Sequence, residues 1–191
     1  MPRVLALDLS TKTGWAVFDD GVYITSGGTE KVFVDDFNVN AEPNRSPKYP
    51  FNIIDAAAEV AAQALALLDE HAPDRVVIEN TVKGRNRNTQ RCLEFIHSAV
   101  LIALRPRVAL SYMDPSEWRK VVDMRLSAEQ KKNNRDVSAG KKRGRIGKKH
   151  LSVNMVNEKY NLGLKLKDND RADAILLGLG FCIAQQKVTA T

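Results

Sequence analysis

The pair Asp20-Gly21 limits the fold of this chain more than any other short feature. It lies between two runs with strand character, at 13–18 and 22–26, and Asp-Gly between such runs is typical of a two-residue β-hairpin. The apolar run at 4–9 predicts a buried strand ahead of the hairpin. The chain is therefore expected to begin with three strands, of which the last two are antiparallel.

Beyond the hairpin, helix and strand patterns alternate. A stretch rich in Pro and Asn at 29–52 predicts a long surface loop. The elements predicted after it are a helix ending near residue 71 with an apolar face of Ile54, Ala58, Ala61, Leu65 and Leu68, a strand at 75–79, a helix at 89–104, a strand at 108–113, a helix starting after the N-cap Asp114, a helix at 148–159 and a last helix opened by Asp170. This order predicts an α/β fold, in which a mixed sheet of a hairpin plus parallel strands is flanked by helices. With no internal repeat or domain boundary, residues 1–191 are expected to form a single domain.

Four acidic residues occupy positions that suit a cation site. Asp8 lies within an apolar strand and Glu79 ends another, and a carboxylate there is costly unless it is paired, hydrogen-bonded or bound to metal. Ligand sites tend to lie at the carboxyl ends of such strands. Asp170 and Asp173 are three residues apart, which puts them on one face of the last helix. Converging oxygen ligands suit Mg²⁺ or Mn²⁺ better than zinc.

Each acid also has a purely structural interpretation. Asp170 would then be an N-cap and Asp173 a partner of the helix dipole. Asp8 would accept backbone hydrogen bonds in a turn, and Glu79 would pair with a nearby basic side chain. Asp168 is the alternative to Asp170 as third ligand. All four acids together, in this strand and helix context, favour the cation site.

Positive charge is concentrated in one segment. Residues 119–149 hold twelve Lys and Arg against three acids, a local net charge of +9, whereas the whole chain has +6. Such a segment is typical of phosphate-backbone binding, although a solvated loop with no partner has the same composition. The basic residues predicted to contact nucleic acid are Lys83, Arg85, Arg87 and Arg91 after Glu79, and Lys141, Lys142, Arg143, Arg145, Lys148 and Lys149.

Other features indicate a cytoplasmic protein with no membrane partner. No stretch looks long and apolar enough to cross a bilayer, and the N-terminus lacks the layout of a signal peptide. Cys92 and Cys182 form no disulfide framework and no metal-ligand spacing, so they are expected to be reduced core thiols.

Three stretches resemble the acidic motifs of the RuvC-type Holliday junction resolvases, within the ribonuclease H-like nuclease superfamily. They are LALDLSTKTGWAVF, VVIEN and DRADAILLG, which keep the order of the family across the chain. The family's first catalytic Asp falls on Asp8 and its second acid on Glu79. Its closing Asp-x-x-Asp-Ala pattern falls on Asp170 and Asp173. A basic residue upstream of a Met-Val pair, which recurs in the family, falls on Lys149.

The resemblance implies a metal-dependent crossover junction endodeoxyribonuclease. Two divalent ions, Mg²⁺ or Mn²⁺, would be held between the four carboxylates, and phosphodiester bonds would be hydrolysed. A homodimer with helix 89–104 at its interface would nick a four-way DNA junction symmetrically.

The chain also departs from the family pattern. Leu9-Ser10-Thr11 follows Asp8, where the family often has Pro-Gly-Ser, and Val82 stands where some members have an aromatic residue that helps to open the junction. Residues 126–147 look like a basic DNA-binding insertion, and compact chains of this kind resemble phage or viral members, which would act in the host cytoplasm. The alternatives are a related nuclease for flaps, single strands or RNA–DNA hybrids, and a non-catalytic nucleic-acid-binding protein of the same fold.

Overall fold

The structure is a computed structural model that describes residues 2–32, 50–81, 87–140 and 144–189. Five strands form one sheet in the order β3-β2-β1-β4-β5. They are β1 Val4–Asp8, β2 Gly14–Asp19, β3 Val22–Gly28, β4 Arg75–Glu79 and β5 Ala109–Met113. The helices of the described residues are α1 Phe51–His71, α2 Arg87–Leu104, α3 Pro115–Val121, α4 Ala128–Ser138, α5 Lys148–Tyr160 and α6 Asn169–Thr189, with a 3-10 helix at Leu166–Asp168.

The predicted hairpin is present between β2 and β3. Asp20 and Gly21 both have positive φ, at 49° and 79°, which is the backbone of a type I′ turn. This turn matches the right-handed twist of the strands that it joins. The prediction of a two-residue hairpin is confirmed.

The sheet is mixed, as predicted. β1 pairs antiparallel with β2 and parallel with β4, and β4 pairs parallel with β5. The carboxyl ends of β1, β4 and β5 therefore lie at the same edge of the sheet. β3 runs in the same direction as β1, because each is antiparallel to β2, and its carboxyl end reaches this edge as well.

Helices cover both faces of the sheet. Side chains alternate along a strand, so Leu5 and Leu7 of β1 pack with α1 and α2, while Val4 and Ala6 pack with α3, α5 and α6 on the opposite face. Both clusters are buried. Residues two apart on a strand share a face, so Asp8 lies on the same face as Ala6, and Glu79 lies on the same face as Val77. This is the face that α6 covers.

The buried face of α1 agrees with the predicted one only in part, since Ala61 and Leu68 are buried as expected and Leu65 is half-buried. Ile54 is 42% exposed and Ala58 is exposed, whereas Ile53, Ala57 and Val60 are buried against the sheet. α1 is apolar around most of its circumference, so helical spacing alone fits more than one face. The expectation that no segment is long and apolar enough to cross a bilayer is also wrong, because α1 passes that test by length and composition. Its buried side chains belong to the core of this fold.

α4 lies inside the basic segment and was not predicted from the sequence. α4 begins with a capping box, in which Ser127 accepts from the backbone N–H of Gln130 and the Gln130 side chain accepts from the N–H of Ser127. The amide of Asn134 then bonds both the N–H and the carbonyl of Ile146. The start signal was readable, but the polar residues after it have no apolar periodicity.

Candidate active site

Asp8 and Glu79 lie side by side at one edge of the sheet. β1 and β4 are parallel neighbours, and their register pairs Leu7 with Ile78, the residues just before the two acids. Asp8 shares a strand face with Ala6, and Glu79 shares one with Val77, so both acids are on the side of α6. The placement of both acids at the carboxyl ends of strands, where ligand sites tend to lie, is therefore present in the structure.

A glycine lets α6 bring the other two acids to this edge. Gly14 is the partner of Asp8 across the β1–β2 pair. A Cβ atom on Gly14 would overlap the backbone carbonyl of Asp170, so the first turn of α6 rests directly on the strand pair that carries Asp8. Asp173 follows on the same face of α6, one turn further along.

The four carboxylates act on one another electrostatically. Burial raises the pKa of the Asp8 carboxyl well above its ordinary value. The negative charges of its acidic partners, Glu79, Asp173 and Asp170, raise this pKa further. Burial is also the main reason why the pKa values of Glu79 and Asp173 are raised. A cation at this position would therefore be stabilised by several charges at once.

Two residues of α3 that the sequence analysis did not assign to the site contact Glu79. Trp118 is fully buried and donates from Nε1 to Glu79 Oε2 at 2.6 Å. Arg119 Nη2 lies 4.0 Å from the same oxygen, and the Arg119 guanidinium stacks 4.6 Å from the centre of the Trp118 ring. The positive charge of Arg119 opposes the rise in pKa of Asp8, Glu79 and Asp173. The sequence signal that could have identified Trp118 and Arg119 was the position of α3, which directly follows β5 at the edge where the parallel strands end.

The donor chemistry of this site fits a hard divalent cation. A hydrogen bond with Ser152 lowers the pKa of the Asp173 carboxyl, but its buried Oδ1 atom has no hydrogen-bond partner. Carboxylate oxygens are the ligands that Mg²⁺ takes from proteins. Across the described ranges, no three Asp, Glu, His or Cys side chains are grouped tightly enough to hold an ion as they stand. The acids therefore supply suitable donors without forming a closed ligand set.

Asp170, rather than Asp168, acts on this cluster. The charge of Asp170 contributes to the raised pKa of both Asp8 and Asp173. The Asp168 carboxylate instead accepts from the backbone N–H of Lys165 at 2.9 Å, at the start of the 3-10 helix. Asp170 Oδ1 accepts from the Asn169 side chain.

The predicted nucleic-acid-binding residues are placed unevenly. Lys148 and Lys149 are exposed at the start of α5, where their charges oppose the rise in pKa of Glu79 and Asp173 respectively. Arg145 and Arg87 are exposed, and Arg91 is half-buried in α2. Five of the predicted residues lie outside the described part of the chain: Lys83, Arg85, Lys141, Lys142 and Arg143. Val82 also lies outside it. The contacts of the basic residues with DNA stay predictions.

The hairpin, the parallel strands and the helices on both faces define a ribonuclease H-like α/β fold. Within this class the chain is similar to RuvC from Thermus thermophilus in complex with a Holliday junction substrate, with a TM-score of 0.63, 14% identity, and coverage of 98% of this chain and 96% of that chain. A second Thermus thermophilus RuvC structure matches with a TM-score of 0.62, 15% identity and coverage of 98% and 97%. The yeast mitochondrial Holliday junction resolvase matches with a TM-score of 0.56, 14% identity and coverage of 98% and 80%.

These likenesses, at such low identity, show a shared fold. The resemblance to RuvC-type resolvases that the three acidic motifs predicted is confirmed at this level. Comparison of the sequence with protein-family models and with curated proteins finds no match.

Proposed function

We propose that this protein is a metal-dependent endonuclease of the resolvase type, which cuts phosphodiester bonds in branched DNA. The observation that carries the proposal is that the carboxylates of Glu79, Asp173 and Asp170, from β4 and α6, all act electrostatically on the buried Asp8 of β1. They lie in a fold shared with resolvases, one of which was solved on a Holliday junction. A purely structural role for all four acids leaves the free oxygen of Asp173 unexplained.

Asp8, Glu79, Asp170 and Asp173 would hold Mg²⁺ or Mn²⁺. When bound, a pair of such ions activates a water molecule and stabilises the departing 3′ oxygen of the phosphodiester. The chain itself supplies orientation, because the 2.6 Å hydrogen bond from Trp118 limits the rotation of the Glu79 carboxylate. No side-chain nucleophile is required.

Basic residues around the acids would hold the DNA backbone. Arg119 is half-buried beside Glu79, and Lys148 and Lys149 stand exposed at the start of α5. Contacts of Lys and Arg with phosphates position a duplex without reading its sequence. Recognition by the shape of the branch is therefore favoured over recognition of bases.

A homodimer through α2 would place two such sites against two strands. Phe95 and Ile102 are seven residues apart on α2, and they are 38% and 75% exposed. That spacing puts them on one side of the helix, where an apolar pair suits a two-fold contact. Two equivalent sites fit a substrate with two equivalent strands.

The test is cleavage of synthetic junction, flap, duplex, single-stranded and RNA–DNA hybrid substrates with Mg²⁺ or Mn²⁺. The wild type should cut the junction fastest, and Asp8→Asn, Glu79→Gln, Asp170→Asn and Asp173→Asn should bind it but lose nearly all cleavage. Asp168→Asn should cost less than Asp170→Asn, and the exposed Asp55→Asn on α1 is the matched control that should cut normally. Cleavage by Asp8→Asn at the wild-type rate would contradict the proposal. If the wild type cuts another of these nucleic acids faster than the junction, that nucleic acid is its substrate.

A further inference from the structure

A charged cleft borders the candidate active site on the side of β3. Its volume is about 230 Å³, and it is lined by Lys12, Gly28, Lys167, Asp168, Asp170 and Arg171. None of its three basic residues belongs to the basic segment or to the loop after Glu79. We propose that this cleft binds a backbone phosphate of the DNA strand, at a position that flanks the cut. The inference rests on the proposed function.

The three cations of the cleft come from separate parts of the chain. Lys12 lies in the turn between β1 and β2, Lys167 in the 3-10 helix and Arg171 in the first turn of α6. Within the ranges that the structure describes, none of the three forms an ion pair. Three basic side chains against two carboxylates leave the cleft with a net charge of +1, which favours an anionic ligand.

The two carboxylates of the cleft are already engaged. Asp168 accepts from the backbone N–H of Lys165, and Asp170 accepts from the side chain of Asn169. These hydrogen bonds orient the two carboxylates without removing their charges, so one of the three cations has no counter-charge within the cleft. The remaining donors point to a ligand that is rich in acceptor oxygens, as a phosphodiester is.

Arg171 is anchored in an orientation that leaves donors available. Its Nε donates to Ser26 Oγ at 2.9 Å, and this buried hydroxyl lies 2.7 Å from the hydroxyl of Tyr23. Arg has five N–H donors in a planar fork, so the bond from Nε leaves the terminal nitrogens for another acceptor. A guanidinium that is already ordered loses less entropy when it binds phosphate.

Lys12 is carried by a turn that the protein holds with its own side chains. Ser10 Oγ donates to the carbonyl of Lys12 at 2.8 Å and accepts from its N–H at 3.1 Å. Thr13 Oγ1 donates to the carbonyl of Ser10 at 3.1 Å. This turn contains the residues that replace the family's Pro-Gly-Ser. Ser10, one of these residues, therefore holds the backbone of Lys12, and Lys12 lines the cleft.

The location of the cleft indicates which phosphate it takes. Asp170 belongs both to the cleft and to the group of carboxylates, so the two sites share a wall. Gly28 pairs in register with Gly14, and Gly14 pairs with Asp8. The cleft therefore lies along the same edge of the sheet as Asp8, on the β3 side. Lys148 acts on Glu79, on the β4 side. A strand crossing the carboxylates would have cations on both sides of the cut.

The experiment replaces single phosphates near the cut with neutral methylphosphonates, one position at a time, in the substrate that the wild type cleaves best. For the wild type, one flanking position should slow single-turnover cleavage about tenfold or more, as expected for loss of a charge-assisted contact. The variants that remove one cation of the cleft should cleave unmodified DNA slowly, and the methylphosphonate at the flanking position should slow them little further. These variants are Lys12→Gln, Lys167→Gln and Arg171→Gln. Arg105→Gln, at the opposite edge of the sheet, is the charge-matched control and should keep the wild-type response.

Filling the cleft tests the same claim without removing charge. A Cβ at Gly28 would meet only ordinary contacts, the nearest being Lys12 Cε at 3.7 Å, so Gly28→Val should fold and still lose sensitivity to the flanking methylphosphonate. Suppose that the wild type cuts DNA and that, for every variant, the slowing caused by the substitution simply adds to the slowing caused by each methylphosphonate. The proposed phosphate site is then overturned, while the proposed nuclease activity stands. If the wild type cuts no nucleic acid with Mg²⁺ or Mn²⁺, both proposals fail.

Discussion

At the scale of single residues, the acids of the candidate site are held in surroundings that disfavour their ionised form. Burial and three neighbouring carboxylates raise the pKa of Asp8, whereas in the unfolded chain this group would titrate in the ordinary range of an aspartate. The folded state therefore binds a proton more tightly than the unfolded state. Its stability falls as the pH rises from the ordinary Asp pKa towards the raised one.

Asp8→Asn should therefore stabilise the metal-free protein at neutral pH while it removes cleavage. Each kcal/mol of relieved repulsion should raise Tm by about 2–4 °C in a domain of this size. Mg²⁺ at a hundredfold excess over Kd should stabilise the wild type by about 2.7 kcal/mol and so raise its Tm. The Tm of Asp8→Asn should be nearly unchanged by Mg²⁺. Thermal denaturation in EDTA and in Mg²⁺ measures both effects. A wild type that is indifferent to Mg²⁺ and Mn²⁺ would remove the metal site.

Gly14→Ala should weaken the fold at the same edge of the sheet. The added methyl group would overlap the carbonyl of Asp170, so α6 must shift, at a cost of about 1–3 kcal/mol for overpacking. Gly28→Ala is the control, because Gly28 is the register partner of Gly14 and has room for a Cβ. Urea denaturation compares the two variants. Equal stabilities would mean that α6 does not rest on β2 as described.

The part of the site that was predictable from sequence follows local rules. Asp8 and Glu79 stand out as acids in apolar strands, and the spacing of Asp170 and Asp173 sets their common face. Trp118 and Arg119 reach Glu79 only because α3 follows β5, which pairs with β4. A contact across 39 residues of chain leaves no periodic signal near either partner.

At the scale of elements, the strands and most helices were predictable, because hydrophobic periodicity and turn residues agree there. α4 was not, because nothing of it is buried and its start signal precedes a polar run. α1 shows the opposite limit, since its many apolar positions specify a helix without specifying which face the sheet covers. Packing against β1 and β4 decides that face.

The part of the basic segment that follows α4 and precedes α5, residues 139–147, should supply DNA affinity rather than chemistry. Replacing Lys141, Lys142, Arg143 and Arg145 with Gln should weaken binding, and each lost phosphate contact should reduce the slope of log K against log salt by about 0.9 on duplex DNA. Binding titrations at several salt concentrations measure the slope, with Arg105→Gln as control. If the slope of the fourfold variant equals that of the wild type, the segment does not contact the backbone.

At the scale of the whole molecule, paired nicks in a four-way junction require two copies of the site. Ile102→Glu places a charge on the exposed apolar side of α2, where Ile102 is 75% exposed, and should convert a dimer to monomers. Ile24→Glu, on edge strand β3 and 55% exposed, is the matched control that should stay dimeric. Sedimentation equilibrium distinguishes the two. A wild type that is monomeric at cleavage concentrations would contradict the dimer.

The most direct test of the central claim is cleavage of one synthetic four-way junction in Mg²⁺, with each strand end-labelled in turn. We expect one cut in each of two opposing strands, at symmetry-related positions, with a 5′ phosphate on the new end. We also expect that Asp8→Asn leaves all four strands intact while the junction stays bound. Faster cleavage of an RNA–DNA hybrid than of any junction, or junction cutting by Asp8→Asn at the wild-type rate, would contradict this expectation.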